Sequence, residues 1–122
     1  MKRDFDLIRE ILLQIQAAPV SQVISSFELD DRGEVEIFEH VKLLLEKGLV
    51  KGNSRNSGTG LGGGAFAITG LTWEGYDFIE SAMSDTAWKK ALTLIKEKGG
   101  ALTFDILKGV LASLAKGTLD LS

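Results

Sequence analysis

A tract of glycine and small polar residues, GNSRNSGTGLGGG at positions 52–64, most constrains what this chain can fold into. Glycine at that density weakens any helix or strand interior, so the tract belongs at a hairpin tip. Its flanks fit that reading. Before it, EVEIFEHVKLLLEKG has helical periodicity and ends on Gly48, a residue suited to the left-handed conformation that closes a helix. Leu49 and Val50 then open a strand, and Ala65 to Leu71 reads as its antiparallel partner. Thr72 is placed to cap a following helix, TWEGYDFIE. Glu34 to Glu80 is thus expected to run helix, strand, loop, strand, helix.

Around this unit the pattern is mostly helical. Leu7, Ile8, Ile11, Leu12 and Ile15 fall at helical spacing within residues 4–17, with Asp4 and Asp6 near the positive end of the dipole. Pro19, the only proline, stops that helix. Gln22 to Phe27 is β-branched enough for a short strand, and Asp30, Asp31 and Gly33 suggest a turn. In the second helix, from about Gly33 to Lys47, Val35, Phe38, Val41, Leu44 and Leu45 form one apolar face. Glu36, Glu39, His40, Lys42, Glu46 and Lys47 lie mostly off it. Ser84 and Asp85 open a helix carrying Trp88, Ala91, Leu92 and Ile95, which Gly99-Gly100 ends. Thr103 opens a last helix with Phe104, Ile106, Leu107, Val110, Leu111 and Leu114 on one side. The spacing of Trp73, Tyr76, Phe78 and Trp88 predicts core packing between the C-terminal helices rather than a stacking platform.

HVKLLLEKGLV, His40 to Val50, resembles the end of a winged-helix recognition helix running into the first wing strand. LTWEG, Leu71 to Gly75, resembles the LTxxG step by which such domains leave the second wing strand. The whole chain is also similar to a small bacterial and prophage family known as domain of unknown function 2513. MKRDFDLIREILLQI, EHVKLLLEKGLV, LTWEGYDFIESAMSDTAWKKA and TFDILKGVLASLAK carry that similarity, nearly end to end. The resemblance implies a winged-helix-like module and a prophage origin, with no assigned activity. The expected fold is therefore α+β, mainly α: a winged-helix-like α-β-α-β-β arrangement with additional C-terminal helices. A single domain, 1–122, is expected, with the module over 1–80 and a helical extension over 81–122 packed on it. The module departs from a DNA-reading helix-turn-helix because residues 20–33, ahead of the recognition-like helix, read as a strand and an acidic turn, so the supporting helix is expected to be missing or reduced to a turn.

Function classes narrow by exclusion. The chain has 122 residues, 44% apolar and 25% charged, which fits a folded domain. Its net charge of -3 supplies no global basic field for nucleic acid or anionic membrane. With no cysteine there is no disulfide, thiolate nucleophile or cysteine-ligated metal, and the composition fits a reducing cytoplasm. Asp4, Asp6, Arg9 and Glu10 break up the N-terminal apolar run, so no signal peptide is expected. No run approaches the roughly 18 apolar residues of a membrane span. Gly58, Gly60 and Gly63 match GxGxxG, but a strand-like segment follows where a dinucleotide site needs a helix. His40 is the only histidine, read as a surface or boundary residue, with Glu36 one turn before it. No catalytic, cofactor or metal site is expected, and the chain is not read as an enzyme.

Three candidate surfaces follow. Lys47, Lys51 and Arg55, in a stretch with no acidic residue between Glu46 and Glu74, would approach a phosphate backbone together with Lys2, Arg3 and Arg9. Glu36, Glu39 and His40 mark a partner-binding face on the second helix, whose carboxylates oppose DNA. Ile106, Leu107, Val110, Leu111 and Leu114 would serve a homodimer, with Gly109 and Ala112 permitting close approach. The expected role is a prophage-type interaction or assembly module. A DNA-binding regulator using the wing is the alternative.

Overall fold

The computed structural model describes residues 1–29 and 31–117. It is α+β and mainly helical, with five helices and a two-stranded antiparallel sheet among those residues. Two compact units divide it, Met1–Tyr76 and Asp77–Ser122.

The first unit contains α1 (Phe5–Ala17), α2 (Glu34–Lys47), β1 (Val50–Asn56), β2 (Gly64–Leu71) and the first turn of α3 (Trp73–Ser81). Asp4 caps α1 by accepting from the Leu7 N–H at 3.1 Å. The helix buries Phe5, Leu7, Ile8, Ile11, Leu12 and Ile15 and packs on α2 and β2. Helix α2 ends in a Schellman closure. Gly48, at φ 79°, donates to Leu45 and the Leu49 N–H reaches the Leu44 carbonyl.

Strands β1 and β2 pair from Val50↔Leu71 to Asn56↔Gly64. The register shifts between Lys51 and Gly52, leaving Thr69 as the extra residue of a bulge. A side chain at Gly52 would run into the Ala67 carbonyl, and its φ of 144° already favours glycine. The strand expected at Gln22 to Phe27 is reduced to a single bridge, Ile24↔Ile68, with both hydrogen bonds at 2.9 Å. The inward residues Ile24 and Phe27 are three positions apart, which breaks the period-two pleat a longer strand requires. The turn expected at Asp30, Asp31 and Gly33 is described only from Asp31 onward, and Asp30 lies outside the described residues.

The second helix turns on its axis relative to the expected face. Ile37 and His40 are buried with Phe38, Val41 and Leu44, while Val35 is 49% exposed and Leu45 half-buried.

The LTWEG step has a clear physical cause. Leu71 is buried, the Thr72 hydroxyl donates to the Gly48 carbonyl at 2.6 Å and the Thr72 N–H to the Leu49 carbonyl at 3.0 Å. The same hydroxyl accepts from the Gly75 N–H at 3.0 Å, so one side chain caps α3 and ties it to the end of α2. At Gly75 any Cβ would collide with the Leu49 carbonyl oxygen. This close approach turns Gly75, Phe78, Ile79 and Ala82 inward at helical spacing. Trp73 and Tyr76 consequently face out, at 80% and 46% exposure, so the expectation that both are core residues is corrected.

The second unit holds the rest of α3, α4 (Asp85–Glu97) and α5 (Phe104–Lys116). Ser84 and Thr103 cap α4 and α5 through the Ala87 and Ile106 N–H groups. Phe78 meets Trp88 edge-on and Phe104 at a tilt, with ring centroids 6.4 and 4.8 Å apart. Helix α4 packs on α5, and Trp88, Ala91, Ile95, Leu107 and Leu111 are buried.

Candidate functional site

The most elaborated surface of the first unit is the β1–β2 loop lying along the outward flank of α2. The loop closes on itself. The Ser57 N–H donates to the Gly63 carbonyl at 2.9 Å, and the Ser57 hydroxyl donates to the Gly62 carbonyl at 3.2 Å. Ser57 Oγ accepts from the Thr59 N–H, and Thr59 Oγ1 from the Leu61 N–H. Gly58, Gly60, Gly62 and Gly63 all have φ near 80°, the left-handed region that lets so short a loop curl.

Contacts with α2 pin the loop. A Cβ at Gly62 or Gly63 would sit 3.2 Å from a Val35 methyl group, so the loop backbone packs closely on Val35. The Gly63 N–H points at the Glu39 carboxylate at 3.5 Å, and Lys42 Nζ donates to Asn56 Oδ1 at 3.4 Å. Between loop and helix is an open cleft of about 340 Å³, lined by Glu39, Lys42, Asn56, Ser57 and four of the glycines. Leu61, at the tip, is 84% exposed.

The candidate cations do not converge. Lys51 and Arg55 are exposed on β1, about 13 Å apart at the usual rise of a strand. Lys47 is exposed at the end of α2, and Lys2 and Arg3 precede α1. The Arg3 guanidinium sits 5.6 Å from the Phe5 ring centroid. Arg9 is only 8% exposed, which removes it as a phosphate contact, because its position on α1 turns inward with Ile8 and Leu12.

His40 is also corrected: it is fully buried and cannot belong to a partner-binding face. Its Nε2 accepts from the Asp4 N–H at 2.9 Å, and its Nδ1 is 2.8 Å from the Glu36 carbonyl. An amide can only donate and a carbonyl can only accept, so the ring is neutral with the proton on Nδ1. With both nitrogens engaged, His40 has no lone pair left for a metal. Among the described residues, no group of three His, Cys, Asp or Glu could hold one.

The same network carries the charges at the α1–α2 contact. Arg32 bonds the Asp4 carboxylate, with the Glu36 carboxylate 3.7 Å from the same guanidinium nitrogen. Burial pushes the Asp4 carboxyl up. Hydrogen bonds from Arg32 and the Leu7 N–H, and the Arg32 charge, more than offset this and hold it below the ordinary aspartate value. Glu36 and Glu39 are half-buried, their carboxylates turned to Arg32 and to the loop.

Homologous sequences place the chain. It matches the family described as Hypothetical protein (DUF2513) over residues 2–101. The chain belongs to the DUF2513 family. A relative from Haemophilus influenzae (strain Rd), named "Uncharacterized protein", is 34% identical over 113 residues, covering 90% of this chain and 92% of the relative. No solved structure matches. The family match includes the hairpin, the His40 network and helices α1 to α4, and stops before α5.

In α5 of this DUF2513 chain, the five residues expected to form a self-association face separate. Leu107 and Leu111 are buried, Val110 and Leu114 half-buried, and Ile106 alone is as much as 48% exposed. Leu107 and Leu111 are covered within the chain, so they are unavailable to a second molecule. Leu111 and Leu114 instead help line a second cleft of about 340 Å³ with Ala87 and Lys90 of α4. Sequence reasoning missed the Asp4–Arg32–His40 network and the outward Trp73. A signal for the first was the one-turn spacing of Glu36 and His40 on α2, with Arg32 just ahead of the helix start.

Proposed function

We propose that this DUF2513 chain is a non-enzymatic protein-interaction or assembly module of prophage type, built on a winged-helix-like scaffold and working in the bacterial cytoplasm. The order α1, Ile24 bridge, α2, β1, β2 supports the scaffold, with α2 in the place of a recognition helix and the hairpin as its wing. No helix lies between α1 and α2 among the described residues, so α2 lacks the support helix of a DNA reader. Among those residues no helix is long and apolar enough to cross a membrane.

The observation that carries the proposal is the use made of the outward face of α2. The hairpin lies along it at Val35, Glu39 and Lys42, and its exposed ends carry Glu34 and Glu46. A groove of phosphates would meet carboxylates and a loop in its path. A protein partner would meet a preformed surface with Val35 and Leu61 as apolar contacts.

The second reading, a regulator that touches DNA through the wing, is favoured by the exposure of Lys51 and Arg55 on β1. Titrating labelled duplex DNA with the full chain across a salt series separates the two. The module reading expects no salt-dependent binding, together with a discrete adduct from a photo-crosslinking residue at position 46 in the host. Tight binding with a steep salt slope, abolished by Lys51→Glu with Arg55→Glu, would replace it with the DNA reading.

A further inference from the structure

The hairpin has one edge that the chain itself leaves open. In an antiparallel ladder, opposite residues alternate between pairs that exchange main-chain hydrogen bonds and pairs that exchange none. Two contacts fix the phase of that alternation here. At the tip, the Ser57 N–H donates to the Gly63 carbonyl, which makes Ser57 and Gly63 a bonded pair. Further along, both main-chain groups of Ile68 are taken by Ile24, so Gly52 and Ile68 exchange none. Both ends agree on what lies between. Arg55↔Ala65 and Asn53↔Ala67 are bonded pairs, whereas Asn56↔Gly64 and Ser54↔Phe66 are not. The N–H and C=O groups of Ser54 and Asn56 therefore point away from β2. Among the described residues no strand meets them, since β1 has only β2 beside it and the Ile24 bridge lies on the far side of β2.

The side chains along this edge define what fits it. Lys51 and Arg55 are exposed, and neither has an ion-pair partner among the described residues. Lys42 of α2 adds a cation beside Asn56 through its bond to Asn56 Oδ1. The nearby Glu39 carboxylate is turned toward the Gly63 N–H. No acidic residue occurs between Glu46 and Glu74. A second β1 is a poor occupant, because it would bring Lys51 and Arg55 of both strands together with no carboxylate between them. A phosphate backbone suits the cations but only accepts hydrogen bonds, so the Ser54 and Asn56 carbonyls would go unmatched. An extended peptide offers main-chain donors and acceptors in alternation, and carboxylates on it would meet the cations.

We infer that β1 of this DUF2513 chain binds an acidic, extended peptide segment of a partner protein as an added strand. Ser54 and Asn56 supply the main-chain bonds, and Lys51 and Arg55 select the charge. The contact uses a different surface from the outward face of α2, so either can fail without the other.

Titrating the full chain at about 50 mM salt with a short capped peptide that alternates glutamate and valine tests this, read by NMR and by the anisotropy of a labelled copy. In the free chain, the Ser54 and Asn56 amides should exchange with solvent faster than those of Asn53 and Arg55, and bound peptide should slow them. N-methylating the edge-facing amides of the peptide, or replacing its glutamates by lysines, should weaken binding by about tenfold or more. Lys51→Glu with Arg55→Glu should weaken it similarly and make the lysine peptide the better ligand. Ser54→Pro removes an outward N–H that the β1–β2 ladder does not use, so it should weaken binding while the circular dichroism spectrum stays that of wild type. Failure of the glutamate peptide to bind overturns the inference. So does binding indifferent to N-methylation, which would be charge attraction alone. Ser54 and Asn56 amides that become protected only as the chain is concentrated overturn it in favour of a second copy. Duplex DNA held by Lys51 and Arg55 more tightly than the peptide overturns it in favour of the DNA reading. An adduct at position 46 with no peptide on β1 removes this contact and leaves the α2 reading standing; peptide protection of Ser54 and Asn56 without that adduct does the reverse.

Discussion

Replacing His40 by leucine should cost the protein about 2 kcal/mol, a figure that follows from two hydrogen bonds. The imidazole is fully buried and bridges α1 to α2, so leucine keeps most of the apolar packing while deleting both polar contacts. The Asp4 N–H would lose its acceptor. A buried orphan amide costs about 1–3 kcal/mol, and partial access of water at half-buried Asp4 puts the value near the lower end. The Glu36 carbonyl is less affected, because it lies inside α2 and serves the helix ladder as well. Losing the Nδ1–H contact there adds about 0.5–1 kcal/mol. With a urea m-value of about 2 kcal/mol/M for a chain of this size, the midpoint followed by far-UV circular dichroism should fall by about 1 M. His40→Gln, which retains a donor and an acceptor, should lose less than His40→Leu. Trp73→Ala, at an exposed site, should stay within about 0.5 kcal/mol of wild type. A His40→Leu midpoint indistinguishable from wild type would refute the argument. So would an NMR spectrum placing the ring proton on Nε2, since the Asp4 amide would then face a hydrogen.

Two further perturbations test the local geometry. Gly75→Ala should destabilise by about 2 kcal/mol or more, because its Cβ meets the Leu49 carbonyl and only backbone movement can relieve it. Gly109→Ala, mid-helix in α5 with no atom within 4 Å of the new methyl, should stabilise by about 0.5–1 kcal/mol; equal effects at the two sites in urea denaturation would contradict the close-approach argument. Acid should weaken the Asp4–Arg32 pair. The folded Asp4 carboxyl titrates below the ordinary value of 3.8, so near that pH the unfolded chain binds the proton first. Its contribution is complete above 3.8 and is lost as pH falls through the lower folded value. Midpoints measured between about pH 5 and about pH 3 should therefore fall less steeply for Asp4→Asn than for wild type; identical slopes would show that the pair contributes nothing.

Much of the architecture was legible because local signals and packing agreed. Asp4, Gly48, Thr72, Ser84 and Thr103 each act at the helix end where their chemistry suggests, while the tract expected as a hairpin tip over 52–64 is one only over 57–63, its first five residues being paired in β1 and Gly64 in β2. The failures arose where long-range contacts decide. Periodicity alone cannot say which side of α3 faces inward, and the Leu49 carbonyl settles that through Gly75. Nor can it reveal that His40 has two partners waiting, one of them 36 positions away. At Gln22 to Phe27, β-propensity was present but the inward spacing was wrong for a strand. The candidate surfaces were less legible than the fold, because exposure depends on the rotation of each helix. A turn of that rotation moved Val35 out and His40 in, and it separated the α5 leucines from Ile106.

The single bridge at Ile24 also bears on how this chain avoids its own kind of misassembly. A two-stranded sheet has two open edges, and an unprotected edge is a template on which other chains can add strands and aggregate. On β2 the middle of that edge is occupied, since both backbone groups of Ile68 are bonded to Ile24. Next to it, the Phe27 ring stacks on Phe66 with centroids 5.5 Å apart. An incoming strand would have to expel Ile24 to reach the backbone of Ile68, and would meet the stacked Phe27 ring beside it. One residue pair, too short to count as a strand, thereby works as a stopper on the sheet.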